Sequence, residues 1–131
     1  MGTAFLACPE SGTHETYKQK ILSSHEDSTE ITLAYSGKAA RGIRTKFMKD
    51  LHQYPGTIPA YPIQNALTRD IRQAAAKAND PEYMSLWAGQ GLRLANNQSA
   101  AAIIKQTIKQ AEAWLTRVSS IQGDGSDSGT K

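Results

Sequence analysis

The spacing of apolar positions changes along this chain, and each change of period predicts a new element. Thr3 to Ala7 is a short apolar run closed by Cys8-Pro9. Proline cannot continue a ladder, so the run predicts a strand of about five residues. Thr13 stands where it can cap a helix over His14 to Ser23. Glu30 to Ser36 alternates, with Ile31, Leu33 and Tyr35 on one face and Thr32 and Ala34 on the other. That period of two predicts a strand ending at Ser36-Gly37. From Ala39 the pattern turns helical: Ile43, Phe47, Met48 and Leu51 form a stripe, and Arg41, Arg44, Lys46 and Lys49 surround it. Tyr54-Pro55-Gly56 stops it.

Pro55, Pro59, Pro62 and Pro81 then punctuate the chain, which predicts an extended crossing before the next helix. That helix spans Ile63 to Ala78, with Ile63, Leu67, Ile71 and Ala74-Ala75 at helical spacing and Asn79-Asp80-Pro81 as its stop. Glu82 to Gln90 reads as short and partly helical, broken at Gly89 to Gly91. Ser99 to Ser119 carries the strongest helical pattern, with Ile103, Ile104, Ile108, Ala111, Leu115 and Val118 on one face. Residues 120–131 form a polar Gly/Ser-rich tail, too poor in apolar groups to order itself. The chain by itself is therefore predominantly α.

Its 131 residues are enough for one domain with a core. A formal charge of +3 is too mild to point to nucleic acid. The one cysteine, Cys8, cannot form an internal disulfide and suits a reducing compartment. No apolar run is long enough for a membrane span, and the first residues lack the basic and apolar regions of a signal peptide. A cytoplasmic protein with no membrane and no nucleic-acid partner is expected; oligomeric state is left open.

No general catalytic signature stands in the sequence: no phosphate-binding Walker loop, no Gly-x-Gly-x-x-Gly, no His-x-x-x-His and no Gly-x-Ser-x-Gly. His14, His25 and His52 sit in polar or amphipathic surroundings and read as solvated side chains, so no metal site is expected. Cys8 reads as a buried structural thiol. The basic residues Lys38, Arg41, Arg44, Lys46 and Lys49 lack interleaved exposed aromatics and read as a solvated face. Taken alone, Met1-Gly2-Thr3-Ala4 is an ordinary strand start. In a (β/α)8 barrel the same residues could serve a phosphate, with Gly admitting a close backbone and Thr donating a hydrogen bond.

Several segments together are more specific. Residues 2–12, Gly-Thr-Ala-Phe-Leu-Ala-Cys-Pro-Glu-Ser-Gly, resemble the strand-eight segment of bacterial nitronate monooxygenases, formerly 2-nitropropane dioxygenases. Ala34 to Ile43 is similar to that family's Phe-Ser-Gly-Arg-x-Ala-Arg-Gly segment. Tyr61 to Thr68 and Tyr83 to Gly91 resemble two further segments, in the same order. The resemblance runs over residues 1–118 and leaves the tail outside.

The resemblance implies an α/β fold: the C-terminal piece of a TIM (β/α)8 barrel, with an inserted, mostly helical segment. Residues 1–8 would be the last barrel strand, 9–93 the inserted cap over the substrate, 94–119 the last barrel helix, and 120–131 the disordered tail. It implies an FMN-dependent enzyme that oxidises alkyl nitronates with dioxygen to carbonyl compounds and nitrite. The family's Gln-Met-Gly-Thr run meets the FMN phosphate; Met1, Gly2 and Thr3 match its last three positions. Trp87, Gly89 and Gln90 would lie near the flavin, with packing as the competing role for that segment. No catalytic residue is assigned, because the family's active-site His and Gly-rich loops have no counterpart here, and the chain alone is expected to be inactive. A flavin-dependent enoyl-acyl-carrier-protein or quinone reductase fragment is the nearest alternative. A truncated, non-catalytic helical binding module is another.

Overall fold

The computed structural model describes residues 2–123, with side chains as far as Ser120. Met1 and most of the expected tail therefore lie outside the described residues. The chain divides into two units, Met1–Asn97 and Gln98–Lys131. It is rich in helix, with a small two-stranded sheet.

The first unit opens on a helix, α1 (Gly2–Leu6), where the apolar run predicts a strand. A strand must pair with neighbours on its edges, and among the described residues no strand lies beside this one. A helical turn satisfies the same backbone locally, and Cys8 N–H continues it by donating to Phe5 O at 3.3 Å. Next comes α2 (Glu15–Ser23), as the pattern predicts, but its cap is His14 rather than Thr13. His14 Nδ1 accepts from the Thr16 N–H at 3.3 Å.

The sheet pairs β1 (Thr29–Thr32) with β2 (Ala40–Ile43), antiparallel, with Thr29 opposite Ile43 and Thr32 opposite Ala40. Residues 40–43 are thus strand, and the predicted helix from Ala39 begins only at α3 (Lys46–His52). Thr45 sets that start: its side chain accepts from the Met48 N–H. Strand β1 stops at Thr32, short of the predicted end at Ser36-Gly37. Of the predicted apolar face, Ile31 and Leu33 are exposed and only Tyr35 is buried, whereas Thr32 and Ala34 on the other face are both buried.

The predicted helix from Ile63 is two, α4 (Ile63–Leu67) and α5 (Arg69–Lys77), meeting at Thr68. Their inward positions are Gln64, Thr68 and Ala75, one helical stripe, whereas Ile63, Leu67 and Ile71 point outward at 60%, 63% and 44% exposure. Polar residues occupy the inner stripe because they have carbonyls to serve. Gln64 Nε2 donates to Ala34 O at 2.6 Å, and the Thr68 hydroxyl donates to Tyr35 O at 2.6 Å. Asn79, at φ 55°, turns the chain out of α5.

Two apolar clusters hold this unit. Ala7, Ile21, Ile43, Met84, Leu86 and Leu92 belong to one, and Ala34, Tyr35, Phe47 and Met48 make the other. The second unit contains α6 (Ala100–Gly123), started by Ser99, whose hydroxyl accepts from the Ala102 N–H at 3.2 Å. Of its predicted apolar face, Ile103 is buried, while Ile104, Ile108, Leu115 and Val118 are exposed.

One turn decides how α4 reaches the sheet. Gly37 adopts φ +74°, and a Cβ there would lie 2.2 Å from Pro59 O. Gly37→Ala should therefore destabilise the chain by more than about 1 kcal/mol, since both conformation and space forbid the methyl. A lowered urea midpoint checks this; an unchanged midpoint would contradict the reading.

Candidate functional site

The two segments singled out in the sequence, Gly2–Thr3 and Trp87–Gln90, meet in space. Thr3 Oγ1 accepts the Gly89 N–H at 2.9 Å, a contact across 86 residues. What puts Gly89 there is the way its segment is held.

Residues 84–89 run beside β2, with an antiparallel bridge between Gly42 and Trp87. They are not helical, contrary to the reading of Glu82 to Gln90 as partly helical. Ile43 N–H donates to Leu86 O at 2.8 Å, and Ala88 N–H donates to Arg41 O at 3.2 Å. Backbone groups of successive residues face opposite edges of an extended chain. The Trp87 carbonyl and the Gly89 N–H therefore face away from β2. The Tyr17 hydroxyl donates to that carbonyl at 2.5 Å, and Thr3 receives the Gly89 N–H. So α2 and α1 each supply one side chain to the outer edge. Gly42 permits the inner edge: a Cβ there would stand 2.9 Å from Leu86 O.

The near end of the segment is tied as firmly. Tyr35 O–H donates to Met84 O at 2.8 Å and lies 2.6 Å from Thr45 Oγ1. A phenol has one proton, so the Thr45 hydroxyl donates to Tyr35 while its oxygen accepts from the Met48 N–H. Burial pushes the Tyr35 phenol up to about 12, which outweighs the bond from Thr45. Burial likewise raises Tyr17 well above its ordinary value, against the opposing effect of the Trp87 carbonyl contact. Both phenols remain protonated donors at neutral pH.

Glu82 anchors the approach. Its carboxylate accepts from the Lys46 N–H at 2.9 Å and pairs with Lys20 at 3.1 Å, joining α2 to α3. Partial burial would raise its pKa, but the Lys46 N–H and the Lys20 ammonium together hold it below the usual carboxylate range.

Of the residues expected at a flavin, Thr3 and Trp87 are half-buried, and Gly2, Gly89 and Gln90 are exposed; Met1 lies outside the described residues. The Trp87 ring stands edge-on to Tyr35, centroids 5.4 Å apart, so packing accounts for one side of it. The space around the glycines is open: a Cβ at Gly2 would meet nothing within 4 Å, and one at Gly89 only Thr3 Oγ1 at 3.6 Å. Thr3 Oγ1 accepts one N–H without spending its own proton, and accepting a bond strengthens a hydroxyl as a donor. Thr3 with its neighbouring open backbone thus fits a phosphate group.

Tyr17, Tyr35, Gly42 and Glu82 shape this site, and none was singled out from the sequence as a site residue. Only Tyr35 and Gly42 carried a signal, as members of the Ala34 to Ile43 segment. The histidines do not converge: His14 caps α2, His25 is exposed and His52 lies 3.8 Å from Glu30. The basic residues do not form one helix face either, since Arg41 lies on β2 and Lys46 and Lys49 on α3. A cleft of about 740 Å³ passes between Glu30, Arg44, Lys46, Lys49, Asp50 and Glu82. Its charges are mixed and largely paired, as in Lys46–Asp50 at 2.7 Å. Among the described residues there is no acidic, His or Cys cluster suited to a metal, and no helix long and apolar enough to cross a membrane.

A family model described as nitronate monooxygenase matches residues 1–110. The chain is 43% identical over 118 residues to a Staphylococcus haemolyticus protein named "probable nitronate monooxygenase", covering 90% of this chain and 33% of that one. A Staphylococcus aureus (strain Newman) protein of the same name is 47% identical over 110 residues, covering 84% of this chain and 31% of its own. Among solved structures, nitroalkane oxidase from Streptomyces ansochromogenes matches with a TM-score of 0.78 at 37% identity, over 88% of this chain and 33% of that one. FabK from Thermotoga maritima matches with a TM-score of 0.72 at 27% identity, over 92% and 39%. The chain thus spans about a third of the length of the curated relatives it matches.

The hold on the 84–89 segment carries a pH signature. Because the folded Glu82 pKa is depressed, its contribution is present above the unfolded value of about 4.3. It is lost as pH falls through the folded value. Glu82→Gln should therefore lower the denaturation midpoint at neutral pH, with the difference from the parent closing as pH drops below about 4. A difference that stays constant over that range would mean the charge is not what Glu82 contributes.

Proposed function

The chain belongs to the nitronate monooxygenase family, and from that premise we propose that it forms the last third of an FMN-dependent nitronate monooxygenase on a (β/α)8 barrel. The reaction proposed is oxidation of an alkyl nitronate by dioxygen to a carbonyl compound and nitrite. The observation that carries the reading is the Thr3–Gly89 hydrogen bond. It joins the two segments in which the family resemblance puts cofactor contacts, and it leaves a donor beside open backbone.

In this proposal the Thr3 hydroxyl donates to a phosphate oxygen while the Gly89 N–H holds its oxygen in place. Gly2 gives the phosphate room to approach the backbone, and Gln90 flanks the same place; Met1 enters the proposal through the family resemblance alone. Trp87, backed by Tyr35, presents the rest of its indole as an apolar surface towards the ring system. Bound flavin would supply the electron acceptor for the nitronate and the route onward to dioxygen. The work of these residues is to bind and orient. The groups that act on the reacting atoms are assigned to parts of the enzyme beyond this sequence, and this chain alone is expected to bind FMN weakly or not at all.

Activity is tested on the full-length enzyme containing this sequence: an alkyl nitronate and dioxygen should yield nitrite. Turnover only with a nicotinamide donor and an enoyl or quinone substrate would favour the reductase alternative. Thr3→Val keeps the branched shape and removes the hydroxyl. A hydrogen bond to a charged group is worth about 1.5–3 kcal/mol, so FMN affinity should fall about tenfold to a hundredfold. Affinity for riboflavin, which lacks the phosphate, should not change. Equal FMN affinity in parent and variant would remove Thr3 from the site. Trp87→Leu should alter the flavin absorption spectrum; an unaltered spectrum, affinity and turnover would leave Trp87 as packing only.

A further inference from the structure

We infer that Tyr17 is a positioning residue for the phosphate-binding edge, acting through the Trp87 carbonyl to set where the Gly89 N–H points. The inference rests on the reading of Thr3 and Gly89 as cofactor contacts.

On the edge of residues 84–89 that faces away from β2, Trp87 O and Gly89 N are consecutive groups, and Tyr17 and Thr3 take one each. The two bonds differ in kind. Thr3 is half-buried and comes from a five-residue helix, while Gly89 is exposed. Tyr17 is packed against the larger apolar cluster, and its helix is tied through Lys20 to Glu82, two residues before the same segment. The phenol is therefore the fixed member of the pair. With the Ala88 N–H bound to Arg41 O on the inner edge, the phenol completes the hold on the Trp87–Ala88 peptide, and the orientation of the Ala88–Gly89 peptide follows along the chain. Thr3 is the looser hold, because it sits on a five-residue helix and its bond to Gly89 is exposed. The raised Tyr17 pKa keeps the phenol a donor through neutral and mildly alkaline pH.

The 131-residue chain itself serves for the test, by amide hydrogen exchange read residue by residue in NMR. Tyr17→Phe keeps the packed ring and removes the donor. Exchange at Gly89 should accelerate about fivefold to tenfold, the factor expected for a bond of about 1 kcal/mol. Exchange at Gly37, whose N–H donates to Leu33 O at 2.8 Å, should stay as in the parent and reports on the fold at large. Equal acceleration at both would mean that Tyr17 acts through general stability, and no change at Gly89 would mean that Thr3 suffices; either result overturns the inference. Thr3→Val is measured alongside and should also accelerate Gly89. The flavin comparison separates the two levels. If Tyr17→Phe frees Gly89 in this chain, while Thr3→Val in the full-length enzyme leaves FMN affinity unchanged, the positioning holds and the phosphate reading fails. If Thr3→Val weakens FMN and Tyr17→Phe leaves Gly89 exchange unchanged, the phosphate reading stands and the positioning fails.

Discussion

Residues 84–89 cross the unit with a full set of backbone groups to satisfy, and the surrounding structure is arranged to satisfy them. Tyr35 takes the Met84 carbonyl, β2 takes Leu86 and Ala88, Tyr17 takes Trp87 and Thr3 takes Gly89. An unpaired buried polar group costs about 1–3 kcal/mol, so the partners of the buried groups constrain their own elements as much as the segment, while the exposed Thr3–Gly89 bond ties α1 more lightly. Helix α2 must present Tyr17, the turn before β2 must present Tyr35, and α1 must lie where Thr3 can reach. Gly42 is fixed by the same demand, because anything larger would push the segment off β2.

This explains which parts of the sequence were legible. Helices α2 and α6 follow from apolar periodicity and capping residues, and they appear close to where that pattern puts them. The pattern misreads β2 because Ile43, Phe47 and Met48 are buried at helical spacing although a strand ends and a helix begins between them. It misreads the inner face of α4 and α5 because Gln64 and Thr68 are buried to serve the carbonyls of Ala34 and Tyr35. Hydropathy registers only the polarity of such residues, not the partner waiting in the fold. The run at Thr3–Ala7 is apolar enough for a strand, but a strand is a property of a pair, and no second strand lies beside it among the described residues.

The candidate site divides along the same line. Thr3, Trp87 and Gly89 were legible through family resemblance, since their segments keep recognisable residues in order. Their meeting was not, because it depends on a contact across 86 residues. Tyr17 and Glu82 carried no sequence signal at all: each looks like an ordinary residue of an amphipathic stretch, and its role lies in one distant partner. The proposed barrel also gives the exposed apolar faces of Ile63, Leu67 and Ile71, and of Ile104, Ile108 and Leu115, a reason to be apolar.

The central claim is that the Thr3–Gly89 contact is one wall of a flavin phosphate site. A crystal structure of a flavin-loaded barrel containing this sequence tests it most directly. The account predicts a phosphate oxygen within hydrogen-bond distance of Thr3 Oγ1, with Gly89 N–H still donating to that same hydroxyl. A phosphate held by other loops, with the Thr3 hydroxyl out of its reach, would contradict it.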